Sequence, residues 1–227
     1  MHAQKLPAVQ QRWYHIRGDS VLVEYALPET AEARPAVIVL PDRFGLQPPV
    51  SNIVAVFAMQ GFRAYAIPLR SAPKQDVAGH PGTRIDSSDV DRVAQIAVEI
   101  RNAPGCNGKA GLVAFDAGAV VGAIAARRMP LFTSCVLFYP SDPDILTDVL
   151  PFIPVPLTVT VGDGASSELL EAVTDLKELA PERKNKIRVR VIKDSGPFFF
   201  NQKHASYRKE SMNTAWIDAI QFLRGTL

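Results

Sequence analysis

The sequence predicts an α/β protein with a mostly parallel sheet covered by helices on both faces. Short apolar runs that lack a polar face alternate with segments of helical periodicity along the chain. The run over residues 36–40 is β-branched and uninterrupted, which is typical of strands buried on both sides. Apolar residues over 90–100 fall on one face of a helix. Alternation of the two patterns favours a parallel sheet, because helices then serve as the crossover connections.

The predicted elements follow one another from an opening hairpin. Alternating apolar residues around the pair Gly18-Asp19 predict an antiparallel hairpin over residues 13–25. Further strands are predicted at 36–40, 62–69, 109–115, 133–139, 156–161 and 187–192, and helices at 52–60, 88–100, 117–128, 167–179 and 207–223. Active residues of such sheets follow the carboxyl ends of strands. We therefore expect functional residues after Leu40, Leu69, Phe115, Tyr139, Val161 and Ile192.

Composition predicts one domain over residues 1–227 and argues against several function classes. A net charge of +2 with scattered basic residues gives no field for nucleic acid or an anionic membrane. No apolar run reaches the roughly 18 residues of a membrane span, and the first residues lack the apolar core of a secretory signal. Cys106 and Cys135 match no metal or redox spacing. We expect a cytoplasmic protein without cofactor, a monomer or small homo-oligomer, with Cys135 buried.

The most informative segment joins a predicted strand to a predicted helix through Asp116. Ala114 and Gly118, two residues before and after it, are small, as the tight strand-to-helix turn of a nucleophile elbow requires. The helix that begins at Ala117 adds backbone N–H groups able to stabilise a developing oxyanion. We also expect the Asp116 carboxylate to cap this helix by accepting N–H bonds from its first turn.

These features resemble the dienelactone hydrolase family of α/β-hydrolases over residues 20–224. The stretches that carry the resemblance are residues 40–45, 107–113 and 161–164 and the pair Ala215-Trp216. The resemblance implies an α/β-hydrolase fold and hydrolysis of carboxylic esters or lactones by a catalytic triad. It places Asp163 at the triad acid, and Asp42 where the family carries a glutamate that contacts the nucleophile.

Two triad positions depart from the family pattern. Asp116 stands where the family has cysteine or serine, and Pro197 stands where it has histidine. Proline has no titratable group, so it cannot take a proton from a nucleophile or deliver one to a leaving group. The altered triad predicts that standard ester and lactone hydrolysis is lost, and that the ancestral cleft binds a small molecule.

An active hydrolase with rewired chemistry is the alternative. An aspartate, with a reference pKa of about 3.9, is ionised at neutral pH and can serve directly as a nucleophile or base. Turnover would then need a relocated histidine, and His204 and His80 are the candidates. Each of them would otherwise be a solvated loop residue, since a base must lie within about 3.2 Å of its partner. The catalytic candidates are Asp116, Asp163 and His204.

Further side chains are expected to line the same cleft. The resemblance implies that Asp42, Asp116 and Asp163 converge there. Close carboxylates repel, so the pKa of at least one should rise unless a cation such as Arg43 or Arg70 intervenes. Clustered oxygens would also suit a divalent cation, but no spaced ligand motif is present, so we predict no metal. Residues 139–144 and 150–156 form a proline-stiffened loop expected beside the cleft. The predicted ligand-contacting residues are Asp42, Arg43, Phe44, Arg70, Ala117, Pro197 and Phe198.

Overall fold

The computed structural model describes residues 6–16, 18–45, 48–70, 87–180 and 186–227, without the side chains of residues 48–51. The described residues begin with a hairpin of β1 (Gln10–Ile16) and β2 (Asp19–Ala26). Its turn contains Gly18, whose φ of 82° is readily adopted only by glycine. The predicted amino-terminal hairpin is confirmed.

One eight-stranded sheet runs through the described residues in the order β1-β2-β4-β3-β5-β6-β7-β8. The pairs β1–β2 and β2–β4 are antiparallel, and all pairs from β4 to β8 are parallel. The mostly parallel sheet is therefore confirmed. The six strands after the hairpin are β3 (Arg34–Leu40), β4 (Arg63–Ala66), β5 (Cys106–Phe115), β6 (Ser134–Phe138), β7 (Leu157–Gly162) and β8 (Ile187–Ile192).

The strand order creates a switch point between β3 and β5. The chain leaves β3 to form β4 on one side and later returns to form β5 on the other side. Connections at the carboxyl ends of these two strands therefore diverge, and the crevice between them is where open α/β sheets bind ligands. The elbow predicted at Asp116 follows β5 directly.

Helices cover both faces of the sheet. In β3, Val37 and Val39 enter the core beneath α1 and α6, whereas Ile38 and Leu40 enter the core beneath α2, α3 and α5. Burial on both faces explains why the strand has no polar face. The described helices are α1 (Pro48–Met59), α2 (Ser87–Asn102), α3 (Ala117–Arg128), α4 (Asp144–Asp148), α5 (Ser167–Leu179) and α6 (Lys209–Thr226).

The segment between β6 and β7 differs from the loop that the sequence predicts. It contains α4, which packs against α5, and a 3₁₀ turn over Leu150–Phe152, which contacts α3. These elements carry the chain from the carboxyl end of β6 to the amino end of β7. Residues 150–156 therefore lie away from the carboxyl-end crevice, which corrects the expectation that they border the cleft.

Two further expectations have structural outcomes. Cys135 is fully buried in β6, and burial raises the pKa of its thiol to about 12. This confirms its prediction as a small buried hydrophobic residue. Cys106 is half-buried and forms no disulfide. In the described part of the chain, no helix is both long and apolar enough to cross a membrane.

Candidate active site

Asp116 occupies a strained turn between β5 and α3. Its φ of 50° and ψ of −116° lie outside the regions that residues with a Cβ ordinarily adopt. The backbone N–H donates to Phe138 O at 3.0 Å, and the carbonyl accepts from Ala119 N at 3.1 Å. At Gly118, a Cβ would lie 2.4 Å from Pro41 O. The first turn of α3 thus presses against the end of β3, which is the geometric reason for the small residue at this position.

The Asp116 carboxylate binds Arg43 instead of capping α3. The guanidinium donates from Nε to Oδ2 at 2.7 Å and from Nη2 to Oδ1 at 2.8 Å, and the Arg43 backbone N–H donates to Oδ2 at 3.0 Å. The side chain of Asp116 makes no capping hydrogen bond to α3. The capping expectation was wrong because the strained backbone directs the carboxylate across the crevice to the loop after β3. Within the described residues, all hydrogen bonds to this carboxylate come from Arg43.

The backbone N–H of Arg43 has a particular place in this fold. In α/β-hydrolases one oxyanion donor is the N–H after the nucleophile, and the other comes from the loop after β3. Arg43 lies in that loop, and its N–H already donates to Asp116. The Asp116 carboxylate is therefore bound to one of the two N–H groups that would stabilise an oxyanion in this fold. The other N–H would be that of Ala117, which is buried at the start of α3.

Asp42 lies beside this ion pair and is only 8% exposed. Burial, together with the negative charge of Asp116, raises its pKa from 3.8 to about 7, although the bond from Phe44 N and the charge of Arg43 oppose the shift. Oδ1 accepts that backbone N–H at 3.0 Å. The predicted alternatives therefore do not exclude each other: Arg43 pairs with Asp116, and the pKa of the neighbouring Asp42 is raised all the same.

One aromatic ring lies over the Arg43 guanidinium, and two others pack against that ring. The Cζ atom of Arg43 lies 5.2 Å from the ring centroid of Phe198, and that ring packs edge-on against Phe44 at 5.5 Å. Tyr139 also contacts Phe198, with ring centroids 5.7 Å apart. Burial, then the charges of Asp42 and Asp116, raise the Tyr139 pKa well above its usual value.

Tyr139 is predicted from the sequence at the start of a loop beside the cleft, without a role for its side chain. It follows β6 directly and has a φ of 36°. The sequence could have indicated Tyr139, because it stands at the carboxyl end of a predicted strand and such ends converge at one edge of the sheet. Its phenol and strained backbone place it in the same cluster as Asp42 and Asp116.

His204 belongs to the aromatic cluster. Its ring lies 5.0 Å from Phe198 and 6.5 Å from Phe44, centroid to centroid. The backbone N–H of Ser206 donates to Nδ1 at 3.1 Å. Nδ1 must therefore be unprotonated, and neutral His204 carries its proton on Nε2. In that tautomer the free ring nitrogen, Nε2, is a hydrogen-bond donor and not a base.

Asp163 binds the backbone of the loop in which the resemblance places a triad histidine. Oδ2 accepts from Asp194 N and Oδ1 from Ser195 N, both at 3.0 Å. These two hydrogen bonds hold the pKa of the exposed carboxyl below its usual value. Gly162 makes the close approach possible, because a Cβ there would lie 2.0 Å from Ser195 O. The Asp163 carboxylate thus holds the backbone of Asp194 and Ser195 in place, and Pro197 follows two residues later in the same loop.

The contacts of Arg70 lie elsewhere, and two other predictions have separate outcomes. Arg70 forms an ion pair with Asp19, and its backbone N–H donates to Asp89 Oδ1 at 3.0 Å. His80 and the rest of residues 71–86 lie outside the described residues. Among the residues that the structure does describe, no group of three or more histidine, cysteine or acidic side chains could hold a metal ion.

The switch-point crevice and the turn at Asp116 on this sheet define an α/β-hydrolase. The chain belongs to the dienelactone hydrolase family, whose model matches residues 23–227. No curated protein sequence matches the chain significantly.

Solved structures share the fold at low sequence identity. A dienelactone hydrolase-like promiscuous phosphotriesterase from metagenomic libraries is 20% identical, with a TM-score of 0.78 over 98% of this chain and 99% of that one. A thermophilic esterase from the planctomycete Thermogutta terrifontis is 16% identical, with a TM-score of 0.70 over 96% of this chain and 92% of that one. At such identities the likeness shows the fold alone.

Proposed function

We propose that this chain is a dienelactone-hydrolase-like protein that lacks standard ester and lactone hydrolysis and binds a small molecule in the ancestral cleft. The observation that carries the proposal is the three-bond clamp of Arg43 on the Asp116 carboxylate. A nucleophile needs a free lone pair directed at the reacting carbon. Here both carboxylate oxygens face Arg43, and one oxyanion donor is already engaged.

Proton transfer is the second obstacle to hydrolysis. Pro197 cannot act as a base, and neutral His204 carries its proton on Nε2 while Nδ1 accepts from Ser206. Asp163 bonds to backbone amides, so its carboxylate holds a loop instead of orienting an imidazole. An acyl group on Asp116 would therefore lack an activated water for its release.

Small-molecule binding is supported by two groups at the edge of the cluster. Phe44 is 42% exposed although its ring packs against Phe198. Asp42 is almost fully buried, and Oδ1 accepts from Phe44 N. A ligand that lays an apolar surface on Phe44 and donates a hydrogen bond to the second oxygen of Asp42 would contact both groups.

A rewired hydrolase is the second candidate, and the pKa of Asp42 is the observation that favours it. A pKa of about 7 is close to the value at which a general base is most effective at neutral pH. Asp42 would activate water, and Asp116 would act as the nucleophile after Arg43 moves away. His204 would assist only in the other tautomer, at the cost of its bond from Ser206.

The deciding experiment measures hydrolysis of short-chain 4-nitrophenyl esters and of a dienelactone by wild type, Asp116→Asn and Asp42→Asn. The proposal expects wild type to match the buffer rate, and intact-mass spectrometry to find no acyl adduct. Turnover by wild type that Asp116→Asn abolishes would establish the rewired hydrolase. Circular dichroism must show that each variant is folded before its rate is compared.

Asp163→Ala tests whether this carboxylate has a catalytic role. In a working triad, removal of the acid lowers kcat, because the histidine loses its orienting partner. Under our proposal Asp163 serves only the loop, so the variant should change amide exchange at Asp194 and Ser195 while ester hydrolysis stays at the buffer rate, as in wild type. Asp175→Ala, on the exposed side of α5, is the matched control.

A further inference from the structure

A second concave site lies at the opposite end of the sheet from the Asp116 cluster. It is a groove of about 750 Å³ between the amino ends of β6, β7 and β8, the 3₁₀ turn, and the last turn of α6. This volume is within the range of about 300–1,000 Å³ that small-molecule sites occupy. The groove involves none of the residues that contact Asp116.

One wall of the groove is cationic. Lys186 precedes β8, and Arg188 is the second residue of that strand. Neither side chain makes a hydrogen bond or ion pair within the described residues, and the described lining includes no acidic side chain. Arg190, two residues further along, differs because it is paired with Asp218. Lys186 and Arg188 are two residues apart in the sequence and line the same groove, so a bound anion would be attracted to both.

The opposite wall is apolar and contains flat side chains. Phe152, at the end of the 3₁₀ turn, is 52% exposed although the Cζ atom of Arg127 lies 4.9 Å from its ring centroid. Pro154 and Pro156 line the groove as well. The ring of Phe222 also lines the groove, with the Cζ atom of Arg188 5.8 Å from its centroid. An aromatic ring placed here would remove Phe152 from water and leave an attached acid group beside Arg188.

We propose that this groove binds an aromatic carboxylate. The planar guanidinium of Arg188 matches a carboxylate through two parallel N–H donors, and Lys186 adds a second positive charge. The ring of the ligand lies on Phe152 and the two prolines. The site is separate from the proposed ligand cleft at Asp42, so each can be present without the other.

The test is calorimetric titration with 2-naphthoate, compared with the uncharged 2-naphthamide. Wild type should bind the acid at least about tenfold more tightly than the amide, as expected when a charge-assisted hydrogen bond is lost. Arg188→Gln should remove that preference. The matched control is Arg12→Gln. Like Arg188, Arg12 belongs to an edge strand and lies over an aromatic ring, with its Cζ atom 5.3 Å from the centroid of Tyr14.

The location is tested by a second pair of variants. Phe152→Ser should weaken 2-naphthoate binding, whereas Asp42→Asn, at the other end of the sheet, should leave it unchanged. Equal affinity for the acid and the amide would overturn the proposal. So would equal losses from Arg188→Gln and Arg12→Gln, or a loss of binding that follows Asp42→Asn and not Phe152→Ser.

Discussion

At the scale of single residues, Arg43 decides what Asp116 can do. A carboxylate that is 1% exposed is costly unless it is paired and hydrogen-bonded, and Arg43 supplies both conditions from a side chain that is itself 30% exposed. The same three contacts hold both carboxylate oxygens on Arg43. Under the proposed function, one interaction therefore both stabilises the buried charge and keeps Asp116 from acting as a nucleophile.

Arg43→Met should lower the free energy of unfolding by about 3 kcal/mol, because it leaves a buried carboxylate without its cation. The double variant with Asp116→Asn should be less destabilised than Arg43→Met alone, since the uncompensated charge is then gone. Urea unfolding of wild type, both single variants and the double variant at pH 7 gives the comparison. Strictly additive losses would contradict the proposed pairing.

Asp42 should make the stability of the protein depend on pH. Its folded pKa of about 7 lies above the value near 4 in an unfolded chain. The folded state therefore holds the proton more tightly, and this contribution to stability is complete below pH 4 and lost as pH rises to about 7. The loss is on the order of 2–4 kcal/mol.

Asp42→Asn should remove that dependence, because an amide keeps the shape but does not titrate. The variant should be more stable than wild type at pH 8, and the two should converge near pH 4. Urea midpoints between pH 4 and 8 measure both curves. Parallel curves would show that the Asp42 carboxyl does not carry a raised pKa in the folded protein.

At the scale of elements, the elbow depends on close approach between α3 and the end of β3. Gly118→Ala would place a Cβ against the backbone carbonyl of Pro41, which cannot move without shifting β3. At Gly122, on the same helix, the closest atom is the Leu112 side chain at 2.7 Å, which can change rotamer. We expect Gly118→Ala to cost about 1–3 kcal/mol.

Gly122→Ala is the matched control for that substitution. It should cost less, because the roughly 1 kcal/mol helix preference of alanine over glycine offsets the contact with Leu112. Thermal and urea unfolding of the two variants measure the difference. If both lose the same stability, crowding at the end of β3 is not what requires glycine at position 118.

The elements that the sequence predicts best are those whose burial is complete. The sequence predicts β3 and β5 as strands because both of their faces are covered, which leaves a continuous apolar run in each. By contrast, α4 has five residues, which is too short for a helical repeat to show. Local patterns also place Asp116 at a turn but not its partner, because the contact with Arg43 joins residues 73 positions apart. The capping expectation failed for this reason.

At the scale of the whole molecule, one sheet connects two chemically different ends. Its carboxyl end holds the Arg43–Asp116 pair with a raised-pKa carboxyl beside it, and its amino end holds the cationic groove. The two helical layers form separate cores on the two faces, and they share the strands at the centre. The central strands should therefore be the last part of the molecule to open.

Native-state hydrogen exchange tests this order of opening. Amides of β5 bonded to β3 or β6 should exchange only with global unfolding, because β5 has a neighbour on each side and lies under both cores. Amides of β1 bonded to β2, and of β8 bonded to β7, should show protection lower by about a hundredfold or more, since each edge strand opens by losing one neighbour. The comparison is restricted to hydrogen-bonded amides, because the amides on the outer edge of β1 and β8 lack a neighbouring strand in the described sheet and exchange fast for that reason alone. Equal protection in β1, β5 and β8 would mean that the sheet opens only as one unit, contrary to this expectation.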